Sequence, residues 1–314
     1  MKNIKKLPFI LTILSFLTIF VPANAEIKVV TSIKPIHSLA SYLMDGVAKP
    51  DLIVDGYASP HGFALKPTHA KMLQEADLVF WVGEDLENFL EKPLKSIAKK
   101  AEKIELMEIK GLTKLKFRER NIFDEHGHKE DEHGHKEDEH GHDEHAHGEH
   151  DPHIWLDPMN AKVILSEMAE HLIENDSKNE AKYKANLKRA HKDLDQLTKK
   201  VKSELNKDFK SIVFHDAYQY FEKRFDINVL GAFTVNTDVM PGAEQLAEIR
   251  EVIEHDKVSC VFSEPQFNPD IIKAVAKDTN IATGVIDPLG ATLNPGKDLY
   301  FDLIGNMSKS FKGC

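Results

Sequence analysis

Residues 211–224 read SIVFHDAYQYFEKR. A β-branched apolar run from Ser211 ends on His215, and an amphipathic helical pattern runs from Ala217 to Arg224. A short buried strand followed at once by a helix is half of a βα unit, from which parallel sheets are built. The same pattern recurs along the chain. Strands are expected at Lys28–Ser32, Asp51–Asp55, Asp77–Val82 and Lys103–Met107, with helices at Pro35–Asp45, Thr68–Glu75 and Leu86–Lys100. A second series has strands at Ser211–His215, Ile227–Ala232, Val258–Ser263 and Ala282–Asp287. Its helices are expected at Ala217–Arg224, Gly242–His255, Pro269–Asp278 and Lys297–Lys312. Each half holds about four βα units, so the fold class is α/β: two βα lobes with mostly parallel sheets.

Between the series lies one helical stripe. Tyr183, Leu187, Ala190, Leu194, Leu197 and Val201 recur at three- and four-residue steps on an otherwise charged segment. Ser177 with Glu180 has capping-box spacing, and a helix from Lys178 to Asn206 would be roughly 43 Å long at 1.5 Å per residue. A continuous helix joining the lobes is stiff, which predicts small closure motions. The expected layout is a first lobe over residues 26–175, a linker helix over 176–207 and a second lobe over 208–314.

Lys2, Lys5 and Lys6 precede an apolar run from Leu7 to Val21 that ends in Ala23-Asn24-Ala25. This is the pattern of a cleaved secretory signal peptide, residues 1–25, and the run is shorter than the ~20 residues needed to span a bilayer. The first cysteine, Cys260, lies far beyond the cleavage point, so a soluble chain without a lipid anchor is expected outside the cytoplasm, most simply in a periplasm. Cys260 and Cys314 in an exported chain read as one structural disulfide. Removing three lysines and no acid takes the net charge from −10 to −13. Much of that charge sits in Asp124–His150, a repeat of the type DEHGHKE with nine of the seventeen histidines and eleven acids against two lysines. It has no apolar residue larger than Ala, so it is expected to form a disordered loop within the first lobe. No basic patch suits nucleic acid; the acidity suits cations.

Three other histidines sit at places a site would use, and α/β proteins place ligand groups outside the carboxyl ends of strands. His61 lies in ASPHGFALKP after the second strand, and His153 lies between two Asp-Pro turns in DPHIWLDP. His215 ends SIVFH. Asp287, ending ATGVID, is a fourth candidate. His61, His215 and Asp287 read as equivalent places in the two halves, facing across an interlobe cleft. Three imidazoles and a carboxylate suit Zn²⁺, whereas Mn²⁺ or Mg²⁺ favour more oxygens. Within the repeat, His126, His128, His133, His135, His140, His142, His145, His147 and His150 are expected to give several weaker sites that gather metal. His69, His171, His191 and His255 read as solvated helix residues. His37 and Glu264 read as supporting groups.

At these residues the chain resembles the zinc-specific periplasmic binding proteins of bacterial ABC uptake systems, the ZnuA type. The resemblance rests on ASPHGFALKPTHAKMLQEADLVFWVGEDLE, the His-rich segment, DPHIWLDPMNA, VFHDAYQYFEKRF, CVFSEPQFNP and GVIDPLG. It implies zinc held in the cleft by His61, His153 and His215, delivery to a membrane permease, and a Cys260–Cys314 bridge. Manganese-binding relatives carry a carboxylate where His215 stands. Some family members have Glu before the first histidine, where this chain has Pro60, leaving Asp287 or water as the fourth ligand. The reading is a monomeric, non-catalytic receptor. Its rivals are a manganese receptor or adhesin of the same fold and a secreted zinc hydrolase. HExxH and GxSxG motifs are absent.

Overall fold

The structure is a computed structural model that describes residues 26–118, 120–123, 148–237 and 239–314. The signal sequence 1–25 and the histidines from His126 to His147 lie outside these residues. The first sheet contains β1 (Val29–Ile33), β2 (Asp51–Val54), β3 (Leu78–Trp81) and β4 (Glu102–Glu105), in the order β2-β1-β3-β4. The second contains β5 (Lys210–His215), β6 (Asn228–Thr234), β7 (Cys260–Ser263) and β8 (Ala282–Val285), in the order β6-β5-β7-β8. All pairings within both sheets are parallel, and the two orders are the same topology repeated.

The crossover helices of the first lobe are α1 (Lys34–Leu43), α2 (Pro67–Glu75) and α3 (Glu84–Ser96). Then come α4 (Pro158–Asn175) and α5 (Glu180–Glu204), and finally α6 (Gln219–Phe225), α7 (Ala243–His255), α8 (Asp270–Thr279) and α9 (Leu299–Gly313). The sequence pattern locates every strand and most helices. It does not anticipate α4, although its start is written in Asp157-Pro158. Proline occupies the first turn, where no N–H is needed, and Asp157 Oδ1 accepts from Met159 N at 2.8 Å. The expected capping box at Ser177 is not formed. Residues Ser177–Asn179 make a 3₁₀ turn, and α5 begins at Glu180 without a side-chain cap.

Helix α5 buries the expected stripe: Tyr183, Ala190, Leu194 and Val201 are inaccessible to solvent. Burial of one such leucine contributes about 1.5–3 kcal/mol. The helix packs on α1, α4 and α9. Asn186, also buried, donates to Leu43 O at 2.7 Å and Asp45 O at 3.0 Å, which fixes α5 to the end of α1. Helix α9 follows the second sheet but returns to pack on α1 and α5, with Tyr300 N donating to Ser38 Oγ at 2.9 Å. One apolar core therefore runs from Ile33 and Leu43 through Trp155 and Leu194 to Phe221 and Phe262, and a smaller cluster around Ile212, Phe214, Phe233 and Ile249 lies within the second lobe. A continuous core of this kind supports small relative motions of the lobes. The Cys260–Cys314 disulfide joins β7 to the end of α9.

Residues 121–123 lie along the edge of the second sheet. Ile122 bridges Gly231 in antiparallel fashion, and Phe123 N donates to Leu230 O at 2.8 Å. Gly231 permits the approach, because a Cβ there would stand 2.6 Å from Asn121 O. Across the gap in the described chain, Gly148 N donates to Asp85 Oδ1 at 2.8 Å, and His150 bridges Lys116. The described residues that flank the gap thus lie against different lobes, 121–123 on the second and 148–150 on the first.

Candidate metal centre

Each candidate histidine is held by its own local structure. His61 lies on a 3₁₀ turn, Pro60–Gly62, that follows β2, and its backbone N–H is capped by Ser59 Oγ at 3.3 Å. His153 is fixed by Asp151 two residues earlier. Asp151 Oδ1 accepts from His153 N at 2.9 Å and lies 2.7 Å from His153 Nδ1. Trp155 Nε1 then donates to Pro288 O at 2.9 Å, tying this turn to the second lobe. His215 is the last residue of β5, and strand register supplies its partner. Because Ser211 pairs with Cys260 and Ile212 with Val261, continuing four residues sets His215 beside Glu264. Glu264 Oε1 lies 2.7 Å from His215 Nδ1.

The three imidazoles converge: one donor nitrogen from each of His61, His153 and His215 lies within 4.8 Å of the others. Ring centroids are 5.2–5.8 Å apart. His153 Nε2 and His215 Nε2 are 3.4 Å apart. Two nitrogens bound to one tetrahedral zinc at roughly 2.0–2.1 Å stand about 3.3–3.4 Å apart. The hydrogen-bond network assigns the Nδ1 protons to Asp151 and Glu264, so in the neutral rings both Nε2 lone pairs point inward. Something positive must lie between them, either a cation or a proton.

Charge around the pair is strongly acidic and buried. Burial pushes the Asp151 carboxyl up to about 7, against the pull of the His153 N–H, Arg118 and His215. Asp216 and Glu222 are likewise pushed up to about 7 by burial, with Arg118 opposing. The Arg118 guanidinium donates to Asp216 at 2.9 Å and to Glu222 at 2.6 Å, and it lies over the Phe123 ring. His153 is held well below the usual imidazole range by burial and by His215. For His215 burial acts downward, but Glu264, Asp216 and Asp151 outweigh it and raise the ring. Of the two rings, His215 is thus the one whose surroundings favour the protonated form. A cavity of about 940 Å³ adjoins the three histidines, with Glu84, Asp85, Glu105, Glu108, Glu149 and His150 on its walls.

Several expectations need correction. Asp287 is not brought into the imidazole group. Its Oδ1 accepts from Gln266 Nε2 at 2.9 Å, Leu289 N at 3.1 Å and Gly290 N at 2.9 Å, holding the turn after β8. His61 and His215 are both at sheet carboxyl ends, but not on corresponding strands: β2 corresponds to β6, and β5 to β1. His69 is buried, not solvated; it accepts from Lys66 N at 3.2 Å and stacks on Phe63. His37 pairs with Pro50 O at 3.1 Å, away from the centre. Asp151 was legible only as a turn residue, although its spacing from His153 is the mark of an orienting carboxylate. Arg118 carried no sequence signal.

The family model for "Zinc-uptake complex component A periplasmic" (ZnuA) matches residues 29–314. The chain belongs to the ZnuA family. The high-affinity zinc uptake system protein ZnuA of Brucella abortus is 45% identical over 303 residues, covering 91% of each chain. That of Yersinia pestis is 39% identical over 298 residues, covering 92% of each. A crystal structure of a ZnuA superposes with a TM-score of 0.73 at 22% identity, covering 91% of this chain and all of the other. That likeness establishes the two-lobed ZnuA fold. No helix among the described residues is long and apolar enough to cross a membrane.

Proposed function

We propose that this chain is the periplasmic receptor of a zinc-uptake ABC transporter, capturing Zn²⁺ between its lobes and delivering it to the membrane permease. The observation that carries this is the 3.4 Å separation of His153 Nε2 and His215 Nε2, each ring aimed by a buried carboxylate. His61 supplies the third nitrogen. Water supplies the fourth ligand, and Asp287 keeps its place in the turn after β8. The His-rich tract, whose flanking residues lie on both lobes, collects zinc at lower affinity; His150 stands on the wall of the acidic cavity. The signal sequence is removed after Ala25. The mature monomer uses residues 26–175 and 208–314 as lobes and 176–207 as linker.

The chain acts as a binder and not an enzyme. Asp151 and Glu264, the carboxylates against the ligand rings, hold Nδ1 protons and so serve to orient ligands, where a hydrolase needs a free base beside an activated water. Zinc is preferred to manganese because three nitrogen donors suit zinc, and manganese sites are richer in oxygen.

Calorimetric titration of the chelator-stripped mature protein with Zn²⁺, then with Mn²⁺ in competition, tests this reading. A single tight zinc event above weaker ones is expected, and tighter manganese binding would overturn it. The Asp287→Ala protein should keep the tight event; its loss would make Asp287 the fourth ligand.

A further inference from the structure

A second convergence of metal-ligating groups lies in the first lobe, remote from the cleft. Glu102 opens the edge strand β4 and meets the face of α4 that carries Glu167, His171 and Glu174 at helical spacing. One donor atom from each of Glu102, His171 and Glu174 lies within 4.8 Å of the other two. Both ring nitrogens of His171 face carboxylates: Nδ1 is 2.8 Å from Glu102 Oε1, and Nε2 is 3.4 Å from Glu167 Oε1. A neutral imidazole has one N–H and can satisfy only one of them. The Nδ1 contact, although short, lacks hydrogen-bond alignment, and this nitrogen is shielded from water. Asn175 fixes the arrangement, donating to Glu102 Oε2 at 2.9 Å and to His171 O at 3.0 Å.

We infer that Glu102, His171 and Glu174 form a second divalent-cation site, with Glu167 left as the partner of the other ring nitrogen. One imidazole and two carboxylates suit a zinc- or manganese-type ion. His171 follows the start of α4 by thirteen residues, roughly 20 Å at 1.5 Å per residue, so the site shares no ligand with the cleft. A cation here would fasten strand β4, which has a single strand neighbour, to the C-terminal turns of α4 that Glu102 already touches. Its donors are more exposed than those of the cleft, with side-chain exposures of 40% for Glu102 and 20% for His171. Binding is therefore weaker and exchange faster. The inference stands apart from the receptor reading, since it concerns a different lobe face and a bracing role.

The test is anomalous scattering at the zinc absorption edge from crystals of the mature chain grown with excess Zn²⁺, alongside the His171→Ala and His61→Ala proteins. A peak bonded to His171 and the two glutamates is expected in the wild type and in His61→Ala, and should vanish in His171→Ala. A wild-type map with a cleft peak but none at His171 overturns the second site. A peak that survives in His171→Ala overturns the assignment of the imidazole as its anchor. An empty cleft would count against the receptor reading and leaves the His171 result to be judged on its own.

Discussion

The same topological position does different work in the two lobes. In the second lobe β5 ends on His215, and the parallel register of β5 with β7 delivers Glu264 to its outer nitrogen at 2.7 Å. In the first lobe the corresponding strand, β1, ends on Ile33 and runs straight into Lys34. Lys34 is buried and its ammonium donates across the cleft to Ala291 O at 3.0 Å and Leu293 O at 2.7 Å. One strand end supplies a proposed metal ligand and its twin supplies a tie between the lobes. The first lobe's own candidate ligand, His61, comes instead from a turn after the edge strand β2. Repeating a fold thus fixes where functional groups can stand, while the side chain at each strand end decides what is built there.

The sharpest division this makes is between ligand and tie. His215→Ala should give the largest loss of zinc affinity, beyond the roughly 10–100-fold typical for removing an outer partner. Calorimetry on the stripped protein measures it. Deleting Asp124–His150 should cost far less at the tight site, and equal losses would defeat the separation of capture from tight binding. Next comes Glu264→Gln, which leaves the ligand but removes the charge that orients it. A loss near the lower end of roughly 10–100-fold is expected, because glutamine can still accept the Nδ1 proton. An unchanged affinity would show that strand geometry alone positions His215.

Acid should act through the same ring. Metal binding requires unprotonated imidazole; His215 is raised by Glu264, Asp216 and Asp151, whereas His153 is lowered by burial. As pH falls, His215 protonates first, so zinc affinity drops beginning above the ordinary imidazole value near 6.5. Once that ring is mostly protonated, the drop approaches about tenfold per pH unit per competing proton. In Glu264→Gln the onset should move to lower pH, since the main raising charge has gone. Proton release measured in two buffers of different ionisation enthalpy reads this directly, and an onset identical in both proteins would refute the role given to Glu264.

Much of this was legible in sequence because it is local. Period-two and period-3.6 patterns marked strands and helices, and His61, His153 and His215 stood out at strand or turn ends. Asp151 is two residues from His153, so its role could have been read from spacing. Glu264 is 49 residues from His215, and only the β5–β7 register brings them together. The half-buried cation of Arg118 and the return of α9 onto α1 are tertiary events with no local signature. Helix α4 is local as well, since Asp157-Pro158 carries a strong start signal directly after the histidine motif. Asp287 could be read two ways, because a carboxylate after a strand is equally good at holding the turn that follows it.

The smallest expected change in zinc binding belongs to the tie. Lys34→Met keeps the length and apolar stem of the side chain but removes the donors to Ala291 and Leu293 and the cation facing the exposed Asp55. Leaving a buried and a part-buried carbonyl without partners costs about 1–3 kcal/mol, so denaturant unfolding should shift by that amount in the metal-free protein. Zinc affinity should change by less than about threefold, because no ligand or orienting carboxylate is touched and about 1.4 kcal/mol would be needed for tenfold. The large shared core, with Trp155 and Tyr300 bridging the same region through hydrogen bonds of 2.9 Å and 2.6 Å, should keep the lobes in place. If instead affinity fell as far as in Glu264→Gln, the tie would be part of the metal centre. The two strand ends would then be serving one purpose, with the first lobe holding the second lobe's ligand in reach.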